Sequence, residues 1–109
     1  LQRQFAARYN IYLVLKGGNT TVACPDGRLF FNASGNPGMA TGGSGDVLTG
    51  VITSLLGQGY EPEKAAIIGV YLHALAGDMA AKKTGEQALI ASDIINSIGE
   101  AYKYIQNEK

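Results

Sequence analysis

The spacing of apolar residues changes once along this chain, and the change falls at a glycine loop. Before it, Ile11-Tyr12-Leu13-Val14-Leu15 is an unbroken apolar run of strand length. Such runs belong to strands covered on both faces, as in α/β sheets. Lys16-Gly17-Gly18-Asn19 reads as a turn, the β-branched stretch Thr20 to Cys24 as a second strand, and Arg28 to Asn32 as a third. Pro25-Asp26-Gly27 is a turn signal, so the last two strands are expected to pair as a hairpin. After Gly43 the pattern becomes helical. Val47, Leu48, Val51, Ile52, Leu55 and Leu56 recur two at a time at four-residue spacing, a broad apolar stripe stopped by Gly57 and Gly59. Pro62 opens an Ala-rich helix running to Lys83 and closed by Gly85. Ser92 is the expected N-cap of a last helix, with Ile94, Ile95, Ile98, Ala101, Tyr102 and Ile105 on one face. Ahead of the strands, Gln2 to Tyr9 reads as a helix end, with Asn10 as its stop. Residues from Lys103 to Lys109 are expected to fray.

One buried strand and a hairpin are too little sheet for these helices. The pattern is that of an incomplete α/β layer structure whose other strands lie upstream. The length of 109 residues suits one domain or part of one. The chain opens on Leu1-Gln2-Arg3-Gln4, which has no signal-peptide layout and reads as an interior segment. Nine basic and nine acidic residues cancel, so neither nucleic acid nor an anionic membrane is expected as a partner. No apolar run approaches about 18 residues, so no membrane span is expected. The lone cysteine, Cys24, excludes an internal disulfide framework and fits a reducing, cytoplasmic setting.

The loop itself raises a chemical question. Asn36 to Gly50 reads NPGMATGGSGDVLTG, with the acid Asp46 set among glycines where the helix begins. A helix start leaves amide groups without partners and carries partial positive charge. Glycines let backbone approach a phosphate closely, so successive N–H groups can converge on it. Gly42-Gly43-Ser44-Gly45 has this form, yet it is neither a Walker A loop nor a dinucleotide fingerprint. Such a loop can hold an anion where charge develops during phosphoryl transfer. Asp46, in the first helical turn, can accept a proton from an attacking hydroxyl. The residues alone equally allow a plain tight loop with Asp46 as a partner of the helix dipole.

The wording of the loop is more specific than its chemistry. The run GNPGMATGGSGDVLTGVITSLLGQG closely resembles the signature of the ADP/ATP-dependent NAD(P)H-hydrate dehydratases, a branch of the ribokinase-like superfamily. LVLKGGNTTVACPDGRLFFNASGNPGMA resembles the family's order of strand, Lys-Gly turn, hairpin and signature, and GVYLHALAGDMAA its following helix. The Gly-x-Gly-Asp core is shared by many ribokinase-like kinases; NPGMATGG and VLTG are the specific parts. The resemblance covers nearly the whole chain. It implies the C-terminal part of a ribokinase-like three-layer α/β/α fold, with residues 1–109 a single partial domain. The activity it implies is repair of hydrated NADH or NADPH, by phosphorylating the added hydroxyl from ADP or ATP and then losing phosphate. Asp46 matches the family's catalytic aspartate beside the hydrated nicotinamide. Gly43, Ser44 and Gly45 match the anion-hole backbone, and Gly45 also a nucleotide-contacting position. Lys16, Gly17, Gly18, Asn19 and Thr20 match the nucleotide-binding stretch. Without the match, Lys16 reads slightly better as a solvated strand end, although the carboxyl end of a buried strand is where α/β folds bind ligands.

Other residues read more simply. His73 sits mid-helix among Leu72, Ala74 and Leu75, and packing is preferred over the nucleotide-pocket role that the match suggests. With no Cys or second His near it, zinc is not expected. Cys24, Met39 and Met79 read as packing, and Asp78 and Asp93 as surface or capping residues. No metal ligand set is visible, so Mg2+ is expected only through the nucleotide phosphates. The expected partners are the upstream half of the same domain or further copies in a homo-oligomer. Two rivals stand beside the dehydratase. A ribokinase-like kinase of a small alcohol would keep Gly-Ser-Gly-Asp with no reason to keep NPGMATGG. A non-catalytic nucleotide-binding module would be indifferent to loss of Asp46.

Overall fold

The computed structural model describes residues 1–16 and 20–107. Helix α1 (Gln2–Tyr9) ends where expected, because Asn10 adopts the left-handed conformation (φ 54°) and its amide closes back on the helix. Three short strands follow, β1 (Leu13–Leu15), β2 (Thr20–Ala23) and β3 (Leu29–Asn32). They form one antiparallel sheet in the order β1-β2-β3. The β2–β3 hairpin turns at Gly27 (φ 94°), whose amide donates to the Cys24 carbonyl at 3.1 Å.

Alternate residues of a strand face opposite sides of the sheet. Thr21 Oγ1 donates to Gln2 Oε1 at 2.7 Å, so one face meets α1. Val22, its neighbour, is buried with Leu48, Ala66 and Val70, so the other face meets helices α2 (Ser44–Gly57) and α3 (Pro62–Thr84). Helix, sheet and helices therefore lie in three layers. Helix α4 (Ala91–Asn107) packs against α3 around Leu72, Ala76, Ala80, Ile94 and Ala101.

Several expectations are corrected. The first strand starts at Leu13 rather than Ile11, and it is not covered on both faces. Ile11 and Tyr12 are each 37% exposed and Leu15 is 47% exposed. Val14 packs towards the α2–α3 side, while Leu13 and Leu15 face the side where the eight residues of α1 cover little. The outer edge of β1 has no strand partner among the described residues. Gly57 lies inside α2; the stop belongs to Gly59 (φ 96°). Gly59 N–H donates to Leu56 O at 3.0 Å and Tyr60 N–H to Leu55 O at 3.1 Å, the paired bonds that satisfy the last carbonyls of a helix. Ser92 is not the N-cap of α4, which begins at Ala91. Asp93 takes the capping role, its Oδ2 accepting from Ile90 N–H at 3.1 Å. Ile95 leaves the apolar face and is 55% exposed, because the buried arc of α4 runs through Ile94, Ser97 and Ala101. Helical structure continues to Asn107 instead of fraying from Lys103.

The segment leading to the glycine loop is pinned to α3. Asp78 accepts from the Gly35 amide at 3.0 Å and from Asn36 Nδ2 at 2.8 Å. One residue before Asp78, Gly77 seats Met39: a Cβ there would strike the Met39 thioether. Gly69 similarly lets Ile52 of α2 approach, since a Cβ would meet its Cγ1 at 2.7 Å.

Two substitutions on α3 test this pinning. Gly77→Ala overfills the Met39 seat and is expected to destabilise by about 1–3 kcal/mol. The control Gly57→Ala, with nothing within 4 Å, is expected to be neutral or slightly stabilising. Asp78→Asn keeps one acceptor oxygen but turns its amide N–H towards one of the two donors, and is expected to destabilise by about 1–2 kcal/mol. Thermal melts at one protein concentration measure all three, and a parental melting temperature for Gly77→Ala or Asp78→Asn would contradict the pinning.

Candidate functional site

The first turn of α2 is built by backbone rather than by a cap. Gly43, the residue before it, stands at φ 88°, a conformation that favours glycine, and provides no side-chain cap bond. Ser44 N–H donates to Thr41 O at 3.3 Å and Val47 N–H to Gly43 O at 3.1 Å. The amides of Gly45 and Asp46 have no backbone acceptor among the described residues. Two neighbouring N–H groups at the positive end of a helix are thus left for an anion. Ser44 is wholly buried and Asp46 is exposed.

Two cavities lie near this turn. The first, of about 560 Å³, is lined by Lys16, Thr20, Asn32, Asn36 and His73 among others. Lys16 follows directly on β1, and its Nζ lies 3.7 Å from where a Cβ on Gly45 would stand. The missing side chain of Gly45 therefore keeps the loop backbone next to the ammonium group. The second cavity, of about 850 Å³, is a groove between α2 and α4, with Gly43 and Asp46 at its loop end and Val51, Ile95, Ile98 and Tyr102 along it. The structure thus brings Lys16 and Thr20 together in one wall, sets Gly45 beside Lys16, and turns Asp46 to the other cavity. Gly17, Gly18 and Asn19 lie outside the described residues.

Two polar residues of the first cavity region, Asn36 and Asp78, carry no such role in the sequence reading, and for His73 that reading prefers packing over the pocket role the resemblance suggests. His73, expected to be packed, is indeed 5% exposed, but its Nε2 also lies 3.0 Å from Ser44 O and 3.3 Å from Ser44 Oγ. Burial, with the positive charge of Lys16 second, holds the His73 pKa below the ordinary histidine value; the bond to the Ser44 backbone opposes this. Asp78, read as surface or capping, instead holds Gly35 and Asn36. Because Asp78 only accepts, the amide nitrogen of Asn36 must face it. Asn36 Oδ1 is then a buried acceptor without a partner among the described residues. The one available signal was polarity in an otherwise apolar Ala-rich helix. Among the described residues no group of three or more His, Cys, Asp or Glu side chains could hold a metal ion, and no helix is long and apolar enough to cross a membrane.

Comparison with known proteins agrees with the motif. A family model described as NAD(P)H-hydrate dehydratase matches residues 1–100. The bifunctional NAD(P)H-hydrate repair enzyme Nnr of Moorella thermoacetica is 46% identical over 105 residues, which are 96% of this chain and 20% of that protein. The ADP-dependent (S)-NAD(P)H-hydrate dehydratase of Neisseria meningitidis is 41% identical over 105 residues, 96% of this chain and 34% of its own length. The ADP/ATP-dependent NAD(P)H-hydrate dehydratase of Bacillus subtilis, co-crystallised with ATP/Mg2+ and soaked with CoA, superposes with a TM-score of 0.89 at 32% identity. That match covers 94% of this chain and 38% of the Bacillus chain. A ribokinase-like superfamily protein of Enterococcus faecalis gives a TM-score of 0.78 at 38% identity, covering 94% of this chain and 35% of that one. The chain thus spans well under half the length of these relatives, and it belongs to the NAD(P)H-hydrate dehydratase family as the C-terminal part of a ribokinase-like fold.

Proposed function

We propose that this chain carries the phosphoryl-transfer end of an ADP- or ATP-dependent NAD(P)H-hydrate dehydratase. The observation that carries the reading is the pair of cavities flanking one helical turn, Lys16 and Thr20 lining one and Asp46 the other. The nucleotide occupies the first cavity, with Lys16 as a point charge on its phosphates and Gly17, Gly18, Asn19 and Thr20 along it. The Gly43-Ser44-Gly45 backbone faces the transferred phosphoryl group, and the amides of Gly45 and Asp46 take up its developing charge. The hydrated nicotinamide lies on the Asp46 side. Its ring hydroxyl attacks the terminal phosphorus, Asp46 takes the hydroxyl proton, and the bond to the nucleotide's bridging oxygen breaks. The ring nitrogen lone pair then expels phosphate, and a proton lost from the adjacent carbon restores the double bond. Magnesium, where used, is carried by the phosphates rather than by a protein ligand set.

The relatives' greater length supports a further element of the reading. The groove at Asp46 is walled here by α2 and α4 with Leu72 of α3 at its floor, and β1 has an open edge among the described residues. The activity therefore needs a segment beyond these 109 residues, either the rest of the domain or further copies of the chain. The isolated chain is expected to be inactive and to regain activity on mixing with a segment of roughly 150 residues that completes the domain. A monomeric 109-residue chain that dehydrates hydrated NADH would refute this.

Two substitutions in the whole protein separate the proposed roles. Asp46→Asn keeps size but removes the base, so turnover should fall by about 10²–10⁴-fold with little change in nucleotide affinity. Lys16→Ala should weaken ADP or ATP binding and affect the hydrated cofactor less. Near-normal turnover by the Asn variant would remove Asp46 from the chemistry. Unchanged nucleotide affinity by calorimetry would return Lys16 to a solvated strand end.

A further inference from the structure

His73 belongs to α3, yet it is bonded to the first residue of α2, 29 positions earlier in the chain. The Ser44 carbonyl oxygen can only accept, so the proton of the neutral imidazole must sit on Nε2. That N–H points at the carbonyl at 3.0 Å and has the Ser44 hydroxyl oxygen at 3.3 Å as a second acceptor. Both partners are buried, Ser44 wholly and His73 nearly so. A hydrogen bond of this kind is hard to exchange for water.

The loop it holds has little else to hold it. Gly42, Gly43 and Gly45 are three of the four residues at the turn, and glycine backbone has the most conformational freedom to lose. No side chain caps the helix at Gly43, and the Ser44 amide reaches Thr41 O only at 3.3 Å. The amides of Gly45 and Asp46, without a backbone acceptor among the described residues, can converge on one anion only while this turn keeps its shape.

We propose that His73 is a positioning residue, a neutral N–H donor that ties the start of α2 to α3 and so keeps the Gly45 and Asp46 amides preorganised for a phosphoryl group. The proposal rests on the reading of the glycine loop as the phosphate site. It assigns His73 no contact with substrate and no proton transfer. Burial and the nearby Lys16 charge both favour the neutral form that donation from a single nitrogen needs.

The test compares His73→Phe with His73→Gln in the whole protein. Phenylalanine fills the ring's space without a donor, whereas the glutamine amide can place an N–H near the Nε2 position. Hydrogen exchange at Val47, whose amide closes the first turn on Gly43 O at 3.1 Å, reports the turn without any ligand. Calorimetry with ATP and with ADP reports its use. His73→Phe should speed Val47 exchange and weaken nucleotide binding by about three- to tenfold each, the worth of one hydrogen bond, while Ala76 exchange in α3 stays parental. His73→Gln should restore most of both. A histidine kept only for packing predicts the reverse order, with Phe tolerated and Gln harmful, and that result would overturn the proposal. Parental exchange and affinity in His73→Phe would overturn it too. If the parent protein binds no nucleotide, the phosphate-site reading fails, and Val47 exchange still decides whether His73 positions the turn. Should the Phe variant not fold, His73→Leu makes the same comparison.

Discussion

Close approach to α3 is possible because most of the residues it turns inwards are small. Ala65, Ala66, Gly69, Ala74, Ala76, Gly77 and Ala80 are all buried on it. At two of these positions the neighbour occupies the space a methyl group would need, Ile52 at Gly69 and Met39 at Gly77. Interiors packed this tightly do not deform smoothly, so the elements resting on α3 keep a fixed relation to one another. The sheet face at Val22, the body of α2, the Gly35–Met39 segment and α4 all rest there. The site inherits its geometry from that one helix, although neither Lys16 nor Asp46 belongs to it.

Polar anchors then act on a frame that is already rigid. Asp78 and His73 project from α3 to opposite flanks of the glycine loop, the first to Gly35 and Asn36, the second to Ser44. Between those two fixed points lie Pro37 to Gly43, including a single 3-10 turn at Pro37–Met39. A loop fastened at both ends loses much less entropy when an anion arrives than a free glycine loop would. On the proposed reading of the loop, this reconciles glycines that allow close backbone approach with a site that must hold its shape.

Local chemistry made some of these features legible in the sequence and left others out of reach. Asn10, Pro62 and Gly85 mark helix ends through their own backbone preferences, and the helices do end or begin there. The hairpin at Gly27 follows from the same kind of preference. Where nearby residues offer similar chemistry the sequence does not separate them: Gly57 looks as able as Gly59 to stop α2, and Ser92 looks a better cap than Asp93, whose longer side chain is the one that reaches back to Ile90. The cover of β1 was misjudged because apolar residues show what a strand would bury and not which element arrives to bury it. The bonds of His73 and Asp78 span 29 and more than 40 positions, and only the packing of α3 brings those ends together. An alignment of strand and helix patterns contains no such distance.

The electrostatics of the loop form one coupled arrangement. The ammonium of Lys16 stands beside Gly45, so it adds positive charge where the helix end already has some. The same charge presses against protonation of His73 from across the cavity. The imidazole therefore serves as a donor without becoming a cation, and the loop has its anchor without a further positive charge next to Lys16. A second cation there would strengthen anion binding in the ground state as much as in the transition state, which lowers the concentration needed for saturation without speeding the chemical step. A neutral anchor confines the positive charge to the side lined by Lys16. On the other side of the turn Asp46 has no salt-bridge partner among the described residues, so the charge of Lys16 and the carboxylate of Asp46 stay on separate sides of the loop.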